Sequence, residues 1–249
     1  MNQPGISSSP NDRTAVRRRS RPARRLVLAL AVTAATTLGC GLDLHPGAAA
    51  TVDGDEISQD SVDQLVSAAC NFIEVGNEGS ATPRQVGAST LRSSLTSTLV
   101  GFALTDKAVD ADHLDLTVYS ADVESADTTK LPDGLSDTDA TLLDDFFYDL
   151  AQEQVQQATI GAHLKDDSVT TSADVSSDDV ALASDYMTTL FSAADVDVNP
   201  GYGTWDGSVV NAGSGSLSDP VSSEAKYTAE NASSGSGDVS GLPPTQVCG

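Results

Sequence analysis

The stretch Thr51–Ile73, TVDGDEISQDSVDQLVSAACNFI, constrains the fold more than any other part of this chain. Asp53-Gly54 lies between Val52 and Ile57, and Asp-Gly supplies the backbone freedom that a two-residue hairpin turn needs. Ser58 is placed to accept a hydrogen bond from the first free N–H groups of a helix. Ile57 before it and Val62 after it have the spacing of a hydrophobic staple. Val62, Leu65, Ala69 and Phe72 then recur at steps of three and four, so they share one helix face. The stretch reads as strand, turn, short strand and capped helix. Its apolar face needs partners from elsewhere in the chain.

Those partners are legible as further helices. Thr82-Pro83 is a helix start, Thr as cap and Pro at the first helical position. The helix runs to about Leu104, with Ala88, Leu91, Leu95, Leu99, Phe102 and Ala103 on its buried face. Leu114–Val123 alternates as a strand does, and a helix-linker-helix reading fits it almost as well. Ser136 caps a third helix, with Asp139 at the capping-box position. Its apolar face is Leu142, Leu143, Phe146, Phe147, Leu150 and Val155, and it ends near Leu164. Val175-Ser176 repeats the staple and cap before a fourth helix, in which Val180, Ala183, Met187, Leu190 and Phe191 face inward to about Ala194. Val196-Asp197-Val198 reads as a strand, followed by a turn carrying Tyr202 and Trp205. The expected class is mainly α, a bundle of about four helices with a small β element pairing N-terminal and late segments.

The ends differ from this core. Seven of 13 basic residues precede Cys40, and only Asp12 of 36 acidic residues does. Leu26–Gly39 is an apolar run too short for a comfortable membrane span, which needs roughly 20 residues. Residues 1–40 therefore read as an export signal. Cys40 after Leu38-Gly39 resembles the lipobox cysteine of bacterial lipoproteins, whose acylated thiol becomes the mature N-terminus. Thr37 departs from the usual Leu. This places the chain at the extracytoplasmic face of the cell membrane through a lipid anchor. The rival reading is cleavage after Ala48-Ala49-Ala50, which would make the chain secreted. Residues 41–50 form a tether, 51–206 the helical domain, and 207–249 a low-complexity disordered tail rich in Gly, Ser, Ala and Asp.

An acylated Cys40 leaves Cys70 and Cys248 as an even pair in an oxidising compartment. Their disulfide is expected, worth up to ~5 kcal/mol in the chain-entropy account. The alternative is a buried Cys70 and a free Cys248. The part after Cys40 keeps six basic residues, Arg84, Arg92, Lys107, Lys130, Lys165 and Lys226, against the remaining 35 acidic ones. That balance repels nucleic acid and anionic headgroups. Solubility is its plainest meaning, and attraction of basic clients the functional one.

AATVDGDEISQDSVDQL resembles the start of the SurA N-terminal domain, which opens on a strand, a D-G or N-G turn, an Ile or Val, and a helix. LRSSLTSTLVGFAL resembles that family's leucine-rich helix. VDVNPGYGTWDG is similar to the ending V-x-V-N-P-R-Y-G-x-W of actinobacterial lipoproteins with this domain, except that Gly201 stands where Arg is usual. The resemblance spans residues 45–206. It implies a helical domain that binds unfolded or extended exported polypeptides, with Val196–Val198 pairing near Val52 and Ile57. The isomerase of SurA and PrsA is a separate parvulin domain with paired histidines. His45, His113 and His163 have no such setting, so no isomerase activity is expected. A structural or envelope-scaffold lipoprotein with one fixed protein partner is the second reading.

The residues nominate no catalytic centre, cofactor or metal site. Asp195-x-Asp197-x-Asn199-Pro200-Gly201 with Asp206 matches a calcium loop poorly, because Pro200 takes the glycine position and Asp206 stands where Glu is usual. Asp144-Asp145, Asp166-Asp167 and Asp178-Asp179 read as solvated faces. Tyr202 and Trp205 are candidates for contacting an extended client, against the plainer reading that they plug the core.

Overall fold

The computed structural model describes residues 46–111, 116–176, 178–212, 222–223, 226, 239 and 242–249. The segment read as an export signal, Cys40, His45, His113 and most of the expected tail lie outside the described residues. The hairpin forms where the Asp-Gly signal puts it. Strand β1 (Ala48–Val52) pairs antiparallel with β2 (Asp55–Ser58), and Val52 faces Asp55 across the turn. Asp53 has φ 47° and Gly54 φ 87°, the pair of positive values that a right-twisted two-residue hairpin requires.

On its other edge β1 pairs with β4 (Val196–Val198), Ala50 facing Val198 and Val52 facing Val196. The order β2-β1-β4 makes β1 the central strand. Its five residues are all buried, because both edges are paired and both faces are covered. Ala49 packs into a cluster with Val62, Leu65, Val66, Leu95 and Leu143, while Ala50 and Val52 pack with Val100, Leu104 and Val210. The tether is therefore shorter than expected. Ala48, Ala49 and Ala50 are fully buried strand, not linker.

Helix α1 (Gln59–Asn77) starts after Ser58, whose side chain accepts from the Ser61 N–H at 3.1 Å. Helix α2 (Ala88–Ala111) begins later than Thr82-Pro83 suggests. The segment before it is held open by Asn77. Its Oδ1 accepts from the Arg84 N–H at 2.7 Å, and its Nδ2 donates to the Arg84 carbonyl at 2.8 Å. Val86–Gly87 is then strand β3. Leu114–Val123 is not a strand over its described part. Thr117 makes a single bridge to Thr171, and α3 (Ser120–Ala126) follows.

Helix α4 (Asp137–Lys165) carries the expected cap, Ser136 Oγ accepting from the Asp139 N–H at 3.1 Å. Phe146 and Phe147 link α4 to Phe102 and Phe72 at ring separations of 5.9 and 6.1 Å. Helix α5 (Asp179–Ala193) starts three residues beyond Ser176. Asp179 Oδ2 reaches back to the Ser176 N–H and hydroxyl, which turns the expected cap into the first partner of a longer lead-in. Gly161 lets α5 approach closely, since a Cβ there would collide with the Asp179 carbonyl.

Order continues past Gly207, where a tail was expected to begin. Strands β5 (Thr204–Trp205) and β6 (Val210–Asn211) form a hairpin, and Val210 is buried. At the C-terminus, β7 (Val247–Cys248) pairs antiparallel with β3.

Candidate functional site

The junction between the two ends of the domain is built on the Asp53-Gly54 turn. The Asp53 N–H donates to the Asp195 carbonyl at 2.7 Å, and the Asp195 N–H donates to Asp53 Oδ1 at 2.9 Å. Lys107 of α2 sets its ammonium 2.9 Å from Asp55 Oδ2 and 3.7 Å from Asp53 Oδ2. A turn, a late strand entry and a central helix thus meet at one aspartate. Below it, Asn199 ties the end of β4 to β1, its N–H donating to the Ala49 carbonyl at 2.9 Å.

The following turn places Tyr202 inside the fold. The ring is buried, and the Arg92 guanidinium lies 5.6 Å from its centroid. Arg92 Nε is 3.5 Å from Asp63 Oδ1, so α1, α2 and the late turn are joined by one charge pair and one ring. Burial, then the Asp63 carboxylate that the hydroxyl faces, push the Tyr202 pKa up to about 12, so the hydroxyl keeps its proton as a donor. Trp205 is half-buried against Phe191, 6.3 Å between rings, in the cluster of Val100, Leu104 and Val210. Both aromatics serve the packing. Tyr202 is buried in this structure, so little of its ring is open to a client.

Asp206, the last position of the calcium-loop match, is engaged within the β5–β6 hairpin. Its Oδ1 accepts from the N–H groups of Ser208 and Val209, each at 2.9 Å, and its Oδ2 from Asn211 Nδ2 at 2.7 Å. The Val209 and Asn211 donors, with Ser208, hold its pKa well below the usual carboxylate range. Asp197 lies within β4, and no group of three or more His, Cys, Asp or Glu able to hold a metal occurs among the described residues.

Two of the Asp pairs are more than solvated faces. Asp179 is buried, and the Ser176 N–H and hydroxyl lower its pKa. Asp166 is lowered by the Ser168 hydroxyl and N–H just past the end of α4. His163 is half-buried and its Nδ1 donates to the Val169 carbonyl at 2.8 Å, which pins the loop after α4.

Sequence reading missed Glu153. It faces α2 from α4, accepting from Thr105 Oγ1 at 3.2 Å and from Gln157 Nε2 at 3.1 Å. Gly101 of α2 leaves it room, since a Cβ there would stand 3.2 Å from its carboxylate. Burial raises its pKa against those two hydrogen bonds, and Asp106 adds to the rise. The groove here is lined by Phe102, Asp106, Asp149, Gln152, Glu153 and Gln156 and measures about 130 Å³. Small-molecule sites usually enclose roughly 300–1,000 Å³. Gly101 in mid-helix was the available signal, because such a residue often marks close approach by a neighbour.

Cys70 of α1 and Cys248 of β7 form a disulfide, Cα atoms 4.9 Å apart across a separation of 178 residues. No described helix is long and apolar enough to cross a membrane. Comparison with protein-family models, with curated proteins and with solved structures finds no match for this chain.

Proposed function

We propose that this chain is an exported, lipid-anchored domain that binds unfolded or extended polypeptide in a chaperone-like manner, without isomerase turnover. The observation that carries the reading is the β2-β1-β4 element, in which residues 48–58 are closed by residues 196–198 over a helical bundle. The resemblance to the SurA N-terminal domain leads to that closure, and a client-binding role is what the resemblance implies. The buried state of Ala48–Ala50 supports anchoring at Cys40 over cleavage after Ala50. Such a cut would remove three core residues and the Ala50–Val198 pair from the central strand.

The second reading, a scaffold lipoprotein with one fixed protein partner, draws support from the surface. The large apolar side chains left exposed among the described residues are Tyr119, Leu164, Leu182 and Val209, and both candidate aromatics pack inward. Client contact on the first reading therefore falls to the carboxylate-rich surface and favours basic segments.

Purified residues 41–249 mixed with several unrelated aggregating proteins separate the two readings. The first is supported by substoichiometric or stoichiometric suppression of light scattering across the set, strongest for basic clients. No suppression of any of them contradicts it.

A further inference from the structure

The C-terminal residues 242–249 are placed on α1 and β3 by very few contacts. Only Cys248 is buried, and Pro243–Gln246 are exposed. The ladder is two residues long, Val86 facing Cys248 and Gly87 facing Val247. Leu242 lies over Gly87, Gly249 lies against Ile73, and Gln85 Nε2 donates to the Gly249 carbonyl at 3.3 Å. Ordering a terminal segment costs conformational entropy at every residue, and an isolated two-residue pairing does not offset it. The disulfide to Cys70 supplies what these contacts lack. The core beneath is built from Val62, Leu65, Val66, Leu95 and Leu143, so it does not depend on this segment.

We infer that residues 242–249 are a redox-released strap, with the Cys70–Cys248 disulfide as its latch and the β3 edge as the surface it caps. The latch opens by exchange with a dithiol. One reductant thiolate attacks a sulfur of the bond and forms a mixed disulfide, and the other cysteine leaves as a thiolate and takes up a proton. The second reductant thiol resolves the mixed disulfide and frees the remaining cysteine. Two electrons and two protons pass from the dithiol, which becomes a disulfide. The freed strap then leaves Val86 and Gly87 with an unpaired edge, a template for another extended chain.

Amide hydrogen exchange on the purified full-length chain, before and after a dithiol such as dithiothreitol, tests this. Full alkylation of Cys70 and Cys248 reports completed reduction. The expected result is a loss of protection of roughly tenfold or more at Val86, Gly87, Val247 and Cys248, with Val62–Ala68 and Leu95–Leu104 unchanged. The Cys248→Ser variant, which cannot form the Cys70–Cys248 bond, should show the same pattern without reductant. Retained strap protection after both thiols are alkylated overturns the inference. So does parallel loss across α1 and α2, which would make the disulfide a staple of the whole bundle.

Discussion

The pKa values of two carboxylates of this domain are displaced in opposite directions, and each reports its own surroundings. Asp206 accepts from Val209, Asn211 and Ser208, so its folded pKa lies below the usual value of about 3.9. Its stabilisation of the β5–β6 hairpin is present above that value and is lost as pH falls through the lower folded one. The Glu153 pKa is raised chiefly by burial, so the folded surroundings favour its protonated form more than water does. The stability it permits is full below about 4.3 and is lost as pH rises through the folded value. Glu153→Gln keeps an acceptor for Thr105 and removes the buried charge. It should raise the melting temperature at pH 7 and change little at pH 4, as measured by circular dichroism. A lower melting temperature at pH 7 would show that the carboxylate's hydrogen bonds outweigh its desolvation. Gly161→Ala should cost about 1–3 kcal/mol in urea unfolding, because a methyl there meets the backbone of α5.

At the level of elements, the Asp53-Gly54 turn was legible because its chemistry is local. A turn needing positive φ shows itself as Asp-Gly, and a cap shows itself as Ser58 or Ser136. The start of α2 was not legible, because Thr82-Pro83 carries a valid local signal that Asn77 and the β3–β7 pairing override from elsewhere. Nor was the second buried side of α2. Val100, Leu104 and Ala108 face the sheet and α5 while Leu95 faces α1, so a one-face reading found half of a helix packed on several sides. The Tyr202 site was legible as an aromatic plug, and its partners Arg92 and Asp63 were not, since each lies more than a hundred residues upstream. Asp53→Ala should cost about 1–3 kcal/mol, from the lost Asp195 hydrogen bond and an alanine forced to positive φ. Asp53→Asn should cost less, because Asn tolerates that backbone and keeps the acceptor. Equal losses for both would place the effect in the Lys107 ion pair instead.

The whole molecule is governed by its charge. After Cys40, acidic residues outnumber basic ones nearly sixfold, and among the described residues Lys107 and Arg92 pair with Asp53, Asp55 and Asp63. Self-repulsion opposes compactness, and salt screens it. The melting temperature of residues 41–249 should therefore rise between about 20 mM and 500 mM NaCl, where the Debye length falls severalfold. A fall would mean that the surface ion pairs contribute more than the repulsion. The same charge bears on the proposed partners, since a strongly acidic surface attracts basic segments and repels nucleic acid.

Polypeptide binding is tested most directly by crosslinking the chain in intact cells and identifying the adducts by mass spectrometry. The account predicts many unrelated exported polypeptides, enriched in basic segments. One dominant partner, recovered at fixed stoichiometry, would contradict it and establish the scaffold reading.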